Sequence, residues 1–185
     1  GDFHRAAFYR PWDLSKVAGS NSLYIGATGA WARDLYTKYG AFDPEAYEDL
    51  VLGFRAALEG RVHVIEEQLV NYCLGSGITS SADYFDDPIA FNTHRTQSFV
   101  VQAAILRQRL KDAQTYGLET DSNVWSVIRK AQARALIGLS YYRKPRDLFG
   151  YALRHPWMVS DTVYTERRRY KKMMRKMRKR AKSTL

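Results

Sequence analysis

The stretch YEDLVLGFRAALEG, residues 47–60, has the clearest helical pattern in the first half of the chain. It opens with two acidic residues, Glu48 and Asp49, where the positive end of a helix dipole favours negative charge. Apolar residues then recur at the spacing of one helix face, at Leu50, Phe54, Ala57 and Leu58. Gly60 is a usual helix stop. The stretch therefore predicts a helix with two carboxylates in its first turn.

The segments around this helix predict strands and one more short helix. Residues 21–28 resemble a strand that ends in small residues, and residues 30–39 predict a short helix that Gly40 closes. Residues 61–65 alternate as a strand does, and residues 68–72 predict another extended segment. The first part of the chain is therefore predicted to be α/β.

The rest of the chain is predicted to be mostly helical. Apolar residues recur at helical spacing across residues 91–110, in a helix of mixed polarity, and across residues 124–139, in a more apolar one. The dipeptide Lys144-Pro145 breaks the second helix, and a short segment follows at residues 148–153. We expect three parts: residues 1–80, a helical region at 81–158, and a basic tail at 159–185.

The positive charge of the chain is concentrated in this tail. The formal net charge is +10, and 11 of the 29 Lys and Arg residues lie between Arg167 and Lys182. The remaining 18 basic residues face 19 acidic ones, so the body is close to neutral. A nucleic-acid-binding domain usually spreads its cations over a folded face. Nucleic acid is therefore not the expected partner, although a tail that binds RNA or DNA stays an alternative.

The tail has the pattern of an amphipathic helix. Its apolar residues fall within one narrow arc: Val163, Tyr170, Met173, Met174, Met177 and Ala181. The predicted membrane-surface residues are Arg167, Arg168, Lys171, Lys172, Arg175 and Lys176. An apolar stripe beside a cationic face is typical of helices that bind an anionic membrane surface. A disordered polybasic end is the alternative.

An ordered set of short motifs surrounds the acidic pair. These motifs are GAWARD at 29–34, YGAFD at 39–43, YEDLVLGFR at 47–55, EGRV at 59–62 and VNY at 70–72. In order and spacing, they resemble the second half of the catalytic domain of family 2 glycosyltransferases. The resemblance covers roughly residues 20–80. It implies a partial GT-A, Rossmann-like α/β fold, followed by the helical region.

The resemblance also implies an activity and a set of site residues. The chain would transfer a sugar from a nucleotide-sugar donor to a glycan or lipid-linked acceptor, with inversion and with Asp49 as the general base. Glu48 would shape the site or bind the acceptor, and Gly29, Ala30 and Trp31 would lie near the donor sugar or the acceptor. The alternative for the acidic pair is a purely structural role at the helix start. Trp31 could stack on a sugar ring, but a Trp is more often a core residue.

The resemblance further implies a divalent metal, Mg²⁺ or Mn²⁺, with ligands outside this chain. The donor-binding half of such enzymes, with its Asp-x-Asp motif, would precede residue 20, and the chain starts at Gly1 without Met. We therefore expect a fragment that does not turn over nucleotide sugars alone. The other hypothesis is a non-catalytic helical binding module whose basic tail binds an anionic membrane or nucleic acid.

Cysteine usage and hydropathy bear on location. The single cysteine, Cys73, cannot form an internal disulfide, which fits a reducing compartment. No apolar run approaches the ~20 residues that a membrane span needs. We expect a cytoplasmic protein, peripheral at the inner face of the cell membrane.

Overall fold

The computed structural model describes residues 13–20, 29–63, 65, 67 and 87–183. Of these residues, 76% are helical and none belongs to a strand. The predicted α/β, Rossmann-like class is therefore wrong for the part of the chain described here, which is a helical protein. The predicted strands at 21–28 and 68–72 lie outside these residues.

Seven α-helices and one 3₁₀ turn make up the described structure. They are α1 (Leu14–Gly19), α2 (Asp34–Thr37), α3 (Glu48–Leu58), α4 (Pro88–Tyr116), α5 (Asn123–Arg143), the 3₁₀ turn Pro145–Asp147, α6 (Leu148–Arg154) and α7 (Pro156–Ser183). The helix at 47–60, the two long helices and the break at Pro145 are confirmed. The helix predicted at 30–39 is shorter, because only one turn around Asp34 forms before Gly40, where φ is +75°.

The segment after α3 shows why the strand predicted at 61–65 is wrong. Gly60 takes the left-handed conformation, with φ of +65°, and turns the chain. The Arg61 amide then donates to the Ala56 carbonyl at 2.9 Å, and its guanidinium pairs with Asp34. These bonds hold the segment against helices. Alternation alone gives a strand only where a second strand supplies the ladder, and none is present in the described residues.

The contacts divide the chain into two compact units. Unit 1 consists of Gly1–Tyr72 with Val101–Gln132, and unit 2 of Cys73–Val100 with Ala133–Leu185. The borders fall inside α4 and α5, so each of these helices contributes to both units. The divisions at residues 80 and 158 stay a prediction from the sequence.

Helix α3 forms the centre of unit 1. Every residue from Leu50 to Leu58 is buried, so the helix is enclosed on all sides rather than on one apolar face. It packs against α1 and α2, and its Leu52 and Ala56 join Leu35 in a small core. Since all sides of α3 are covered, its position within unit 1 is fixed by packing.

In unit 2, α7 is held by a buried carboxylate. Glu166 accepts two hydrogen bonds from Arg95, both at 2.9 Å, and a third from the Tyr142 hydroxyl at 2.8 Å. Burial and the neighbouring Glu166 carboxylate raise the pKa of Tyr142. Bidentate Arg–carboxylate geometry with an added hydroxyl satisfies the buried charge. This cluster fixes the face that α7 turns towards the rest of unit 2.

Candidate functional site

The predicted base lies where the sequence pattern puts it, in the first turn of α3. Glu48 begins the helix and is exposed, while Asp49 is half-buried. The Asp49 Oδ1 accepts a hydrogen bond from the Leu50 amide at 2.8 Å. Amides at a helix N-terminus and the helix dipole both favour the ionised carboxylate. An ionised carboxylate that is partly open to solvent can accept a proton.

Two buried arginines hold the helix that carries Asp49. Arg109, on α4, donates to the Leu50 carbonyl at 3.3 Å and to the carbonyls of Val17 and Ala18 at the end of α1, at 3.1 and 2.9 Å. The residue next to Asp49 is therefore tied to two other helices. A guanidinium with several carbonyl acceptors is a fixed cross-link, because its donors have set directions.

The second arginine, Arg55, makes a buried ion pair. Both Arg55 and Asp112 are 0% exposed, and two hydrogen bonds of 2.9 and 3.1 Å join the guanidinium to the carboxylate. Arg55 also donates to the Leu35 and Gly40 carbonyls, and Gln108 donates to Asp112 at 2.8 Å. Arg55 therefore makes a buried ion pair in the core of unit 1.

The end of α3 is closed by a third polar group. Glu59 accepts hydrogen bonds from the ammonium of Lys38 and from the hydroxyl of Tyr39, the latter at 2.5 Å. These two donors, Lys38 first, hold the pKa of the Glu59 carboxyl below its ordinary value. Burial and then the Glu59 carboxylate raise the pKa of Tyr39. Both ends of α3 are thus fixed by polar contacts.

The other predicted site residues precede α2. Gly29 is half-buried and Ala30 is exposed. Trp31 is half-buried and packs against the core formed by Leu35, Leu52 and Ala56. Trp31 therefore has a structural role in the core, which the sequence left as an alternative to sugar stacking.

The described residues show no metal centre, and two depressions on their surface are open. No group of three or more His, Cys, Asp or Glu side chains in this part of the chain could hold a metal ion. One open depression in unit 1 is lined by Ala41, Phe42, Asp43, Pro44, Arg107, Gln108 and Lys111. Another in unit 2 is lined by Ile89, Asn92, Thr93, Thr96, Gln97 and Arg143. Neither includes a predicted site residue.

The basic residues predicted to meet a membrane all lie on α7 in unit 2. Arg167, Arg168, Lys171, Lys172, Arg175 and Lys176 are exposed. None of the helices in the described part of the chain is long and apolar enough to cross a membrane.

Part of the apolar stripe of α7 packs against the protein. Met173 is 1% exposed, and Met174 and Met177 are half-buried. The Tyr170 ring meets Phe91 edge to face at 6.0 Å, while 37% of Tyr170 remains exposed. The membrane-surface role of α7 stays a prediction.

No family model, curated protein or solved structure matches this chain.

The resemblance to family 2 glycosyltransferases thus stays a prediction from the sequence motifs.

Sequence reasoning missed the buried polar residues of α4. Val101, Ile105, Gln108 and Asp112 follow one another at the spacing of a single helix face, and all four are buried. Arg109, beside them, is buried too. The sequence pattern that could have indicated them is that Gln108 and Asp112 continue the face of Val101 and Ile105. The pattern alone indicates only a helix of mixed polarity, because the partners of these residues lie far away in the sequence.

Proposed function

We propose that this chain supplies the catalytic base of an enzyme that transfers a sugar from a nucleotide-sugar donor to a hydroxyl group of a glycan or lipid-linked acceptor. The observation that carries the proposal is the setting of Asp49. Its carboxylate is half-buried in the first turn of a helix whose remaining length is buried. The ordered motifs from residue 29 to residue 62 supply the chemical class.

The proposed step needs one carboxylate. The Asp49 carboxylate takes the proton of the acceptor hydroxyl as the oxygen attacks the anomeric carbon of the donor sugar. The new C–O bond forms on the face opposite to the bond that breaks, so the anomeric configuration inverts. The nucleoside diphosphate leaves with the electrons of the broken bond. The proton remains on Asp49 until it is passed to solvent.

The contacts of α3 support this role for Asp49. A base must stay within hydrogen-bond reach of the acceptor, and small displacements are costly in rate. Arg109 holds the adjacent Leu50 carbonyl, and the Arg55–Asp112 pair holds the helix two turns further on. At the helix start, the Asp49 carboxylate accepts a hydrogen bond from the Leu50 amide. The same contacts are expected if Asp49 only stabilises the start of the helix. A variant therefore has to distinguish a catalytic base from a stabilising charge.

The donor and any divalent metal would be bound by residues other than those described, because the described residues offer no metal-binding group. Glu48, exposed and next to the base, would contact the acceptor. We propose a cytoplasmic reaction, at the inner face of the membrane where the acceptor is lipid-linked.

The test uses the natural protein that contains these residues. UDP-glucose, UDP-N-acetylglucosamine and GDP-mannose are supplied in turn with a lipid and glycan extract, and release of nucleoside diphosphate is measured. We expect acceptor-dependent release with one donor and its loss in Asp49→Asn. The control is Glu45→Gln, which removes a nearby exposed charge and should keep the activity. Full release by Asp49→Asn would overturn the proposal, and so would the absence of release with every donor.

A further inference from the structure

The buried residues of α7 identify the side of the helix that faces the protein. Thr162, Glu166 and Met173 are all buried. At 100° per residue, they fall within an arc of about 40°. The Glu166 cluster and the Met173 contacts therefore define the inner side of the helix. The opposite side faces solvent.

The opposite side has an ordered composition. Trp157, Tyr164, Arg168, Lys171 and Arg175 fall within an arc of about 60°, centred opposite the buried residues. All five are exposed, and Trp157 is 87% exposed. We call these five residues the outer face of α7. Two aromatic residues occupy its N-terminal half, and three cations occupy its C-terminal half.

Helix α6 adds two more apolar residues just before α7. Phe149 and Leu153 are 74% and 73% exposed, and they lie four residues apart, on one side of the helix. Single exposed apolar residues are ordinary. Three residues as large and exposed as Phe149, Leu153 and Trp157 within nine positions form an apolar segment without a partner among the described residues of unit 2.

The acids of α7 do not offset its cations. Between Pro156 and Ser183, the helix contains two acidic residues. Glu166 is buried in its cluster with Arg95, and Asp161 lies 3.6 Å from Arg134. The 11 Lys and Arg residues that begin at Arg167 therefore give this part of α7 a strong positive field.

We propose that the outer face of α7, with Phe149 and Leu153, is a docking surface for an anionic lipid membrane. Trp and Tyr side chains partition to the level of the lipid headgroups, and Phe and Leu insert below it. Lys and Arg then contact the anionic headgroups. The helix has 28 residues and is about 42 Å long, so both halves can contact one flat surface.

Charge complementarity and the exposed Leu153 favour lipid over nucleic acid. Both polyanions attract the cations of α7, but single-stranded nucleic acid gains its further affinity by stacking bases on aromatic faces. Leu153 has no such face, whereas the hydrocarbon phase of a membrane removes it from water. This surface lies in unit 2 and is independent of the sugar-transfer proposal, which rests on Asp49 in unit 1.

The test is flotation of the 185-residue chain with phosphatidylcholine vesicles, with and without phosphatidylglycerol, at about 0.1 M NaCl. The aromatic variant is Trp157→Ser with Tyr164→Ser, and its control is Ile89→Ser, an equally exposed apolar residue on α4. The charge variant replaces Arg168, Lys171 and Arg175 by Gln. Its control replaces three exposed cations outside α7, also by Gln: Lys111, Lys130 and Lys144.

We expect the wild-type chain to float only with the phosphatidylglycerol vesicles. The partition coefficient should fall about tenfold in the aromatic variant and on the order of a hundredfold in the charge variant. Each control should stay within about threefold of wild type.

Three results would overturn the proposal. The first is an aromatic variant that floats like wild type, and the second is a charge control that loses as much as the charge variant. The third is a wild-type chain that does not float with the anionic vesicles, whether or not it binds a poly(U) probe.

Discussion

The buried ion pair of unit 1 allows a quantitative prediction. Asp112→Asn keeps the shape of the side chain and removes its charge, so Arg55 keeps its two carbonyl acceptors but loses its counter-ion. Neither residue of the pair has any exposed surface. Removing one partner of a buried pair costs about 3–5 kcal/mol, because the other charge stays buried without compensation. We expect a loss of about 3 kcal/mol in the free energy of unfolding.

The assay is equilibrium unfolding in urea, followed by far-UV circular dichroism and by tryptophan emission. Trp125 is buried in unit 1, whereas Trp157 in unit 2 is already 87% exposed, so the change in emission on unfolding reports mainly on the unit that holds the pair. The matched control is Asp34→Asn, which makes the same change in the exposed pair with Arg61. Exposed pairs contribute about 0–1 kcal/mol, so this control should unfold close to wild type.

A double-mutant cycle separates the pair from the rest of the core. Arg55→Met removes the charge and keeps most of the side-chain volume. In the combined variant, neither charge is left alone, so the two losses should not add, and we expect a coupling of about 2 kcal/mol. The reasoning would be refuted if Asp112→Asn unfolded within about 1 kcal/mol of wild type, or if the two losses were additive.

Two further predictions concern pH and packing. The pKa of Glu59 is held low, chiefly by Lys38, so its contribution to stability is present above about pH 4.3 and is lost as the pH falls through the folded-state pKa. Between pH 7 and pH 3, the free energy of unfolding should therefore decrease less in Glu59→Gln than in wild type, as measured by circular dichroism. An equal decrease in the two proteins would contradict this. In unit 2, a Cβ at Gly138 would overlap the Phe99 ring, so Gly138→Ala should lower the free energy of unfolding by about 1–3 kcal/mol in urea. Gly150→Ala, which meets nothing within 4 Å in α6, should not lower it, and equal losses in the two variants would count against the packing argument.

Local signals predicted the helices well. Carboxylates at the start and a glycine at the end bound α3, and both signals act within a few residues. Proline marks the break after α5 and the start of α7 for the same reason. The predicted strand at 61–65 failed because alternation describes one segment, while a strand needs a partner that a local pattern cannot supply.

Long-range contacts could not be predicted from the sequence. Arg55 and Asp112 lie 57 positions apart, and nothing around either residue indicates that both are buried. Hydrophobic periodicity cannot distinguish a protein core from a membrane, so the sequence did not indicate that Met173, on the apolar stripe of α7, is buried in the protein. The setting of Asp49 was predicted because it depends on the local start of α3.

The assignment of Asp49 as the base is tested most directly by the rate of sugar transfer. This rate is measured for Asp49→Asn and for the control Glu45→Gln, each relative to wild type. A general base contributes about 10²–10⁴-fold to the rate. The lost charge at the helix start should cost only about 0.3–1 kcal/mol of stability. We predict a rate loss in that range for Asp49→Asn, with the protein still folded by circular dichroism and with Glu45→Gln unaffected. A rate for Asp49→Asn equal to that of wild type, or an equal loss in both variants, would contradict the assignment of Asp49 as the base.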